Sequence, residues 1–167
     1  MKSVTHRCIH QFMLLVVMAF PALTSAKSVP AFGTWIDCNF APLLVSLPGT
    51  TTDVVTVGIT QDFSGTLDGT YTGSERDVLN ADGSATFRGG GIFTGTVAGR
   101  SGTASFRYEW IAPAGADGYA TWVLEGLTGS LDGVQGQGTF AGSSADFSDA
   151  CPAGKFSGTY EGTVEAR

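Results

Sequence analysis

Histidine is nearly missing from this 167-residue chain: the two present, His6 and His10, both lie in its first ten residues. All three methionines, Met1, Met13 and Met18, lie in the first 20. Beyond that stretch, Ser-His-Asp and Cys-His catalysis and histidine-ligated zinc or iron are therefore excluded. Charge is sparse, at 14% of residues, and Lys and Arg number only nine, with no basic run. An acidic balance with no basic run argues against binding to a phosphate backbone and against adsorption to anionic lipid. The longest apolar run, Phe12 to Phe20, is about half the ~20 residues that a bilayer-spanning helix needs. Gly89-Gly90-Gly91 is followed neither by a helix signal nor by Lys-Ser/Thr, so it reads as a turn or strand kink and not as a phosphate-cradling loop.

The N-terminal run has a purpose of its own. Lys2 and Arg7 form a charged leader, FMLLVVMAF an apolar centre, and Thr24-Ser25-Ala26 a small-residue cleavage point, the order of a secretory signal peptide over residues 1–26. The remaining domain, 27–167, is expected to be secreted or periplasmic, without stable membrane insertion. Lys2 and Arg7 leave with the leader and no acid does, so the domain keeps seven Lys and Arg against 15 Asp and Glu, a net charge of −8. Of three cysteines, Cys38 and Cys151 remain. In an oxidising compartment, with no histidine to activate a thiol, they are expected to form one disulfide. It would close a loop of over 100 residues, stabilising the fold by about 4–5 kcal/mol in the chain-entropy picture.

What the domain does have is glycine: all 24 fall after residue 26, among many Thr and Ser. Helical periodicity is lacking. Short runs alternate with period two and stop at turn residues every 8–12 positions, which predicts an all-β fold. The clearest run is Thr103 to Ile111 (TASFRYEWI), with Ala104, Phe106, Tyr108 and Trp110 on one face and Ser105, Arg107 and Glu109 on the other. Tyr119 to Glu125 (YATWVLE) follows with Ala120, Trp122 and Leu124 on one face. The two are expected to form an antiparallel hairpin with its aromatics on one side. Val54 to Phe63 is another strand, and Asn80-Ala81-Asp82-Gly83 is a turn.

A repeat of apolar, Ser/Thr, Gly, Thr/Ser, apolar, any, Gly begins at Phe63, Phe93, Leu127 and Phe156. Its glycines share a face with the leading apolar residue, which lets a strand bend or a ring pack close, as at a barrel corner. The segments between copies are too dissimilar for a solenoid or propeller. A single antiparallel barrel of about eight strands is the expected architecture, with a two-sheet sandwich as the alternative.

At Phe93 to Phe106 (FTGTVAGRSGTASF) and Leu127 to Phe140 (LTGSLDGVQGQGTF), with the run Asn80 to Phe87 before them, the chain resembles a family of small bacterial proteins of unknown function. Their fold looks like the allene oxide cyclase and dirigent type of β-barrel. The resemblance implies an apolar interior, in a superfamily holding cyclases of reactive small molecules and proteins that steer radical coupling. A charged pair often stands before the second Phe-Thr-Gly in that family, where this chain has Gly91-Ile92, and no catalytic residue is carried over.

The candidate ligand-binding residues are Tyr108, Trp110, Trp122, Arg107 and Glu109. If the aromatics face outward, Arg107 and Glu109 line the barrel and shift each other's protonation. If the aromatics fill it, the charges form a surface network of little energetic weight. Asp146 and Asp149 are loop carboxylates without the spacing of an EF-hand, and no metal or cofactor is expected. The leading functional expectation is a barrel that binds a small apolar or aromatic ligand. A non-metal, non-redox cyclase or isomerase, assisted by Tyr108, Tyr119 or Glu109, is the first alternative, and a solid barrel with a structural or protein-interaction role is the second.

Overall fold

The structure, a computed structural model, describes residues 27–37, 41–43, 52–116, 118–148 and 151–166. The leader and Cys38 lie outside these residues, as does Asp149, so the expected cleavage and the Cys38–Cys151 pairing do too.

Among these residues nine strands follow in order: β1 (Lys27–Asp37), β2 (Ala41–Leu43), β3 (Thr52–Gly65), β4 (Leu67–Asn80), β5 (Ala85–Val97), β6 (Arg100–Ala112), β7 (Tyr119–Gly126), β8 (Val134–Ser148) and β9 (Cys151–Ala166). From β3 to β9 each strand pairs antiparallel with the next. β1 pairs with β9 along its whole length and with β3 over Gly33–Asp37, which closes an eight-stranded barrel. The short β2 lies against β3 outside that ring. Closure by β1 is what decides for the barrel over the sandwich, because it leaves no open edge between two sheets.

The β6–β7 hairpin forms as the alternation predicts, with Tyr108 opposite Trp122 and Trp110 opposite Ala120. Its aromatic face points inward. Phe106, Tyr108 and Trp122 are buried and Trp110 packs partly buried against them. Rings from β1, β3, β4, β5, β8 and β9 join them: Phe63 meets Phe93, Phe106, Phe140 and Tyr160 with centroids 5.3–6.1 Å apart, and Phe106 stacks on Trp122 at 6.0 Å. The middle of the barrel is thus solid, each ring pair adding about 0.5–1.5 kcal/mol beyond its burial.

Glycine makes the room for these rings. A Cβ on Gly138 would sit 2.7 Å from Trp122 Nε1, and one on Gly33 2.6 Å from the Tyr160 hydroxyl. That hydroxyl accepts from the Leu67 N–H at 2.7 Å and donates to the Leu67 carbonyl at 3.1 Å, pinning β9 across the start of β4.

Three of the four repeat copies form connections at one end of the barrel, namely β3–β4, β5–β6 and β7–β8, while the copy at Phe156 lies within β9. In the third copy the leading Leu127 is exposed and does not join the core. A 3-10 turn, Gly129–Leu131, instead folds Leu131 inward as a fully buried plug. The leading residue faces out because β7 buries its even positions through Gly126, which leaves Leu127 on the outer parity.

Candidate functional site

The opposite end of the barrel is different in kind. There the inward positions of β4 pass from Tyr71 through Gly73 to Glu75 and Asp77, and both carboxyls are buried. Asp37 at the end of β1 and Gln61 on β3 are buried beside them, in register with each other, and Gln61 is in register with Tyr71. Burying ionisable groups costs several kcal/mol unless they are paired, hydrogen-bonded or neutralised.

Part of that cost is met by one chain of hydrogen bonds. Tyr108 reaches across β5 and donates its hydroxyl to Glu75 Oε2. It can do so because Gly89 stands between them in the pairing, and a Cβ there would lie 2.1 Å from the Tyr108 ring. Glu75 and Asp77 are in turn hydrogen-bonded to each other. Burial pushes the Glu75 carboxyl up to about 8; the Tyr108 bond opposes the rise, and the Asp77 charge adds to it. Burial lifts Asp77 to about 6, against the pull of its bond from Glu75. At neutral pH the chain therefore runs from the Tyr108 hydroxyl to a protonated Glu75, which donates to an ionised Asp77. Burial, then the Glu75 charge, raise both Tyr71 and Tyr108, so both phenols stay protonated.

Around this chain, buried polar atoms stand without a hydrogen-bond partner among the described residues. Trp35 Nε1, Gln61 Oε1, Tyr71 Oη and Asp77 Oδ1 belong to residues that are 7%, 6%, 0% and 5% exposed. Native proteins satisfy the large majority of such atoms, so a group of them gathered at one end of a barrel sets that end apart from the rest of the interior. Trp110 lies edge-on to Trp35 with centroids 6.4 Å apart, giving this end an aromatic wall. Among the described residues, no three His, Cys, Asp or Glu are arranged to hold a metal ion.

The residues singled out from sequence divide between the two faces. Tyr108 and Trp110 belong to this end. Trp122 lies deeper, stacked on Phe106 and donating to the Thr139 carbonyl at 3.3 Å. Arg107 is exposed, and Glu109 accepts from exposed Arg88 at 2.6–2.7 Å, so both face outward and are separated from the rings by the sheet itself. Tyr119 is exposed. The Asp146 side chain lies outside the described residues.

Glu75, Asp77, Gln61 and Asp37 were not among the sequence candidates. The run SERD reads as a solvated surface segment. The available signal was parity: positions 71, 73, 75 and 77 share a face, so an inward Tyr71 brings both acids inward.

The fold and this site define a closed antiparallel β-barrel with an aromatic middle and one acid-lined end. The chain belongs to the family described as protein of unknown function (DUF3224), whose model matches residues 45–149. It is also similar to the crystal structure of a DUF3224 protein of unknown function from Shewanella oneidensis MR-1. The TM-score is 0.58 at 19% identity, over 83% of this chain and 96% of that one, a likeness of fold. No curated protein matches the chain.

Proposed function

We propose that this is a secreted or periplasmic barrel that binds a small apolar or aromatic molecule at its acid-lined end. The ligand's polar group lies among Gln61, Tyr71 and Asp77, and its body rests on Trp35 and Trp110. The observation that carries the reading is the set of buried, unpartnered polar atoms at that end. The solid middle supports a shallow site at the end of the barrel over one deep inside it. Native mass spectrometry of the purified protein, followed by tryptophan-fluorescence titration with an aromatic ligand panel, tests it. A ligand that changes the fluorescence, with the change reduced in Trp110→Phe, is the expected result. An empty protein whose fluorescence no panel member moves overturns the reading in favour of a solid interaction barrel.

One observation favours a second reading. Tyr108, Glu75 and Asp77 place a neutral carboxylic acid beside an ionised one, the pairing that general acid–base chemistry uses. A cyclase or isomerase of the allene oxide cyclase-like type would confine its substrate over these groups. Asp77→Asn would then abolish turnover while substrate still binds.

A further inference from the structure

Resting on the binding reading above, we infer that the acid-lined end takes a protonated amine carried on an aromatic or apolar body. The first argument is the charge inventory. Asp37, Glu75 and Asp77 are buried there, and no Lys or Arg is buried among the described residues. The other elements facing the cluster bring Gln61 from β3, Phe87 and Gly89 from β5, Tyr108 and Trp110 from β6, Phe140 from β8 and Phe156 from β9, and none adds positive charge. Arg76, Arg88 and Arg107 are exposed at outward positions, and Lys155 precedes the inward Phe156.

The second argument is independent of charge. Asp77 Oδ1 and Gln61 Oε1 are acceptors without donors among the described residues, and Tyr71 Oη accepts as readily as it donates. An ammonium group carries three N–H donors and no acceptor, which matches those three atoms. Trp35 Nε1, a pure donor, is left for water or for an oxygen on the ligand. The rings of Tyr71 and Tyr108, 6.0 Å apart, and the indole of Trp35 give this end the aromatic surroundings in which an organic cation is favoured. A calcium ion asks instead for six to eight oxygens converging on one point, and among the described residues no three acids are arranged to hold a metal ion.

Binding then displaces a proton. At neutral pH Glu75 is protonated, being raised to about 8 by burial. A cation favours its ionised form, so affinity rises with pH from 6 to 8, by at most about tenfold per pH unit.

Isothermal titration calorimetry of the purified protein tests this with two matched pairs, tryptamine against tryptophol and 2-phenylethylamine against 2-phenylethanol. Each pair is titrated at pH 6, 7 and 8 in two buffers of different ionisation enthalpy. The expected result is at least tenfold tighter binding of each amine than of its alcohol at pH 8, with proton release at pH 7. Asp77→Asn should erase the amine-to-alcohol ratio, and Glu75→Gln should erase the proton release. Because the wild-type ratio and its pH dependence are read without any substitution, a variant that fails to fold leaves the test intact. Alcohols that bind as tightly as amines at every pH overturn the inference and leave the binding reading standing. Absence of binding by all four compounds overturns the inference, and the binding reading falls with it only where the wider aromatic panel also leaves the tryptophan fluorescence unmoved.

Discussion

At Gly89 the space a methyl group would need is already filled by the Tyr108 ring. Gly89→Ala should therefore drive the ring away from Glu75. Overpacking of this kind costs about 1–3 kcal/mol, to be read from the urea midpoint. Tyr108→Phe separates the hydrogen bond from the packing. It keeps the ring and removes the donor to Glu75 Oε2, leaving a buried carboxyl oxygen short of a partner, at a cost of about 1–3 kcal/mol. Because that bond lowers the Glu75 value, its loss should move the Glu75 titration upward from about 8, visible in the side-chain carboxyl carbon signal by NMR. A Glu75 titration that stays put in Tyr108→Phe would show that the hydroxyl is not its partner.

At the scale of elements, β1 joins the two ends of the strand series, pairing with β9 along its length and with β3 over the short segment Gly33–Asp37. Thr34 has an exposed side chain within that segment, so Thr34→Pro acts on the backbone ladder and spares the core. The expected outcome is faster amide exchange along β1 and at Gln61–Gly65 of β3, with the β6–β7 hairpin less affected; uniform exchange across all strands would show that closure and sheet are one cooperative unit. The plug at the other end is tested by Leu131→Ala, expected to cost about 2–5 kcal/mol because Leu131 is fully buried. How much of this could be read beforehand varied by strand. β6 and β7 were legible because aromatic and aliphatic residues alternate cleanly with Ser, Arg, Glu and Thr, so inside and outside differ in chemistry. β4 was not, because its inward row is Leu67, Gly69, Tyr71, Gly73, Glu75 and Asp77, in which small and acidic residues stand where a hydrophobic pattern expects apolar ones. The site lay in the strand whose pattern fails. Buried acids and glycines break the apolar rule by which a barrel interior is recognised in a sequence, so the row that carries them is read as surface.

Over the whole molecule, the buried acids set the direction in which stability depends on pH. Glu75 and Asp77 titrate at about 8 and about 6 in the fold, against ordinary values of 4.5 and 3.8. Between those limits the folded state binds more protons than the unfolded chain, so this contribution is fully present below about pH 4 and is lost as pH rises through 6 to 8. The denaturation midpoint should thus fall from pH 5 to pH 9, by on the order of 2–4 kcal/mol for the buried pair. Glu75→Gln isolates that pair. A glutamine amide keeps the protonated acid's bonding, its oxygen accepting from Tyr108 and its NH₂ donating to Asp77, but it cannot lose a proton. The variant should match the wild type near pH 5, exceed it at pH 8–9, and show a flatter stability curve between. A slope unchanged by the substitution would place the pH dependence on the outer surface, and with it the protons that the acid-lined end is argued to hold.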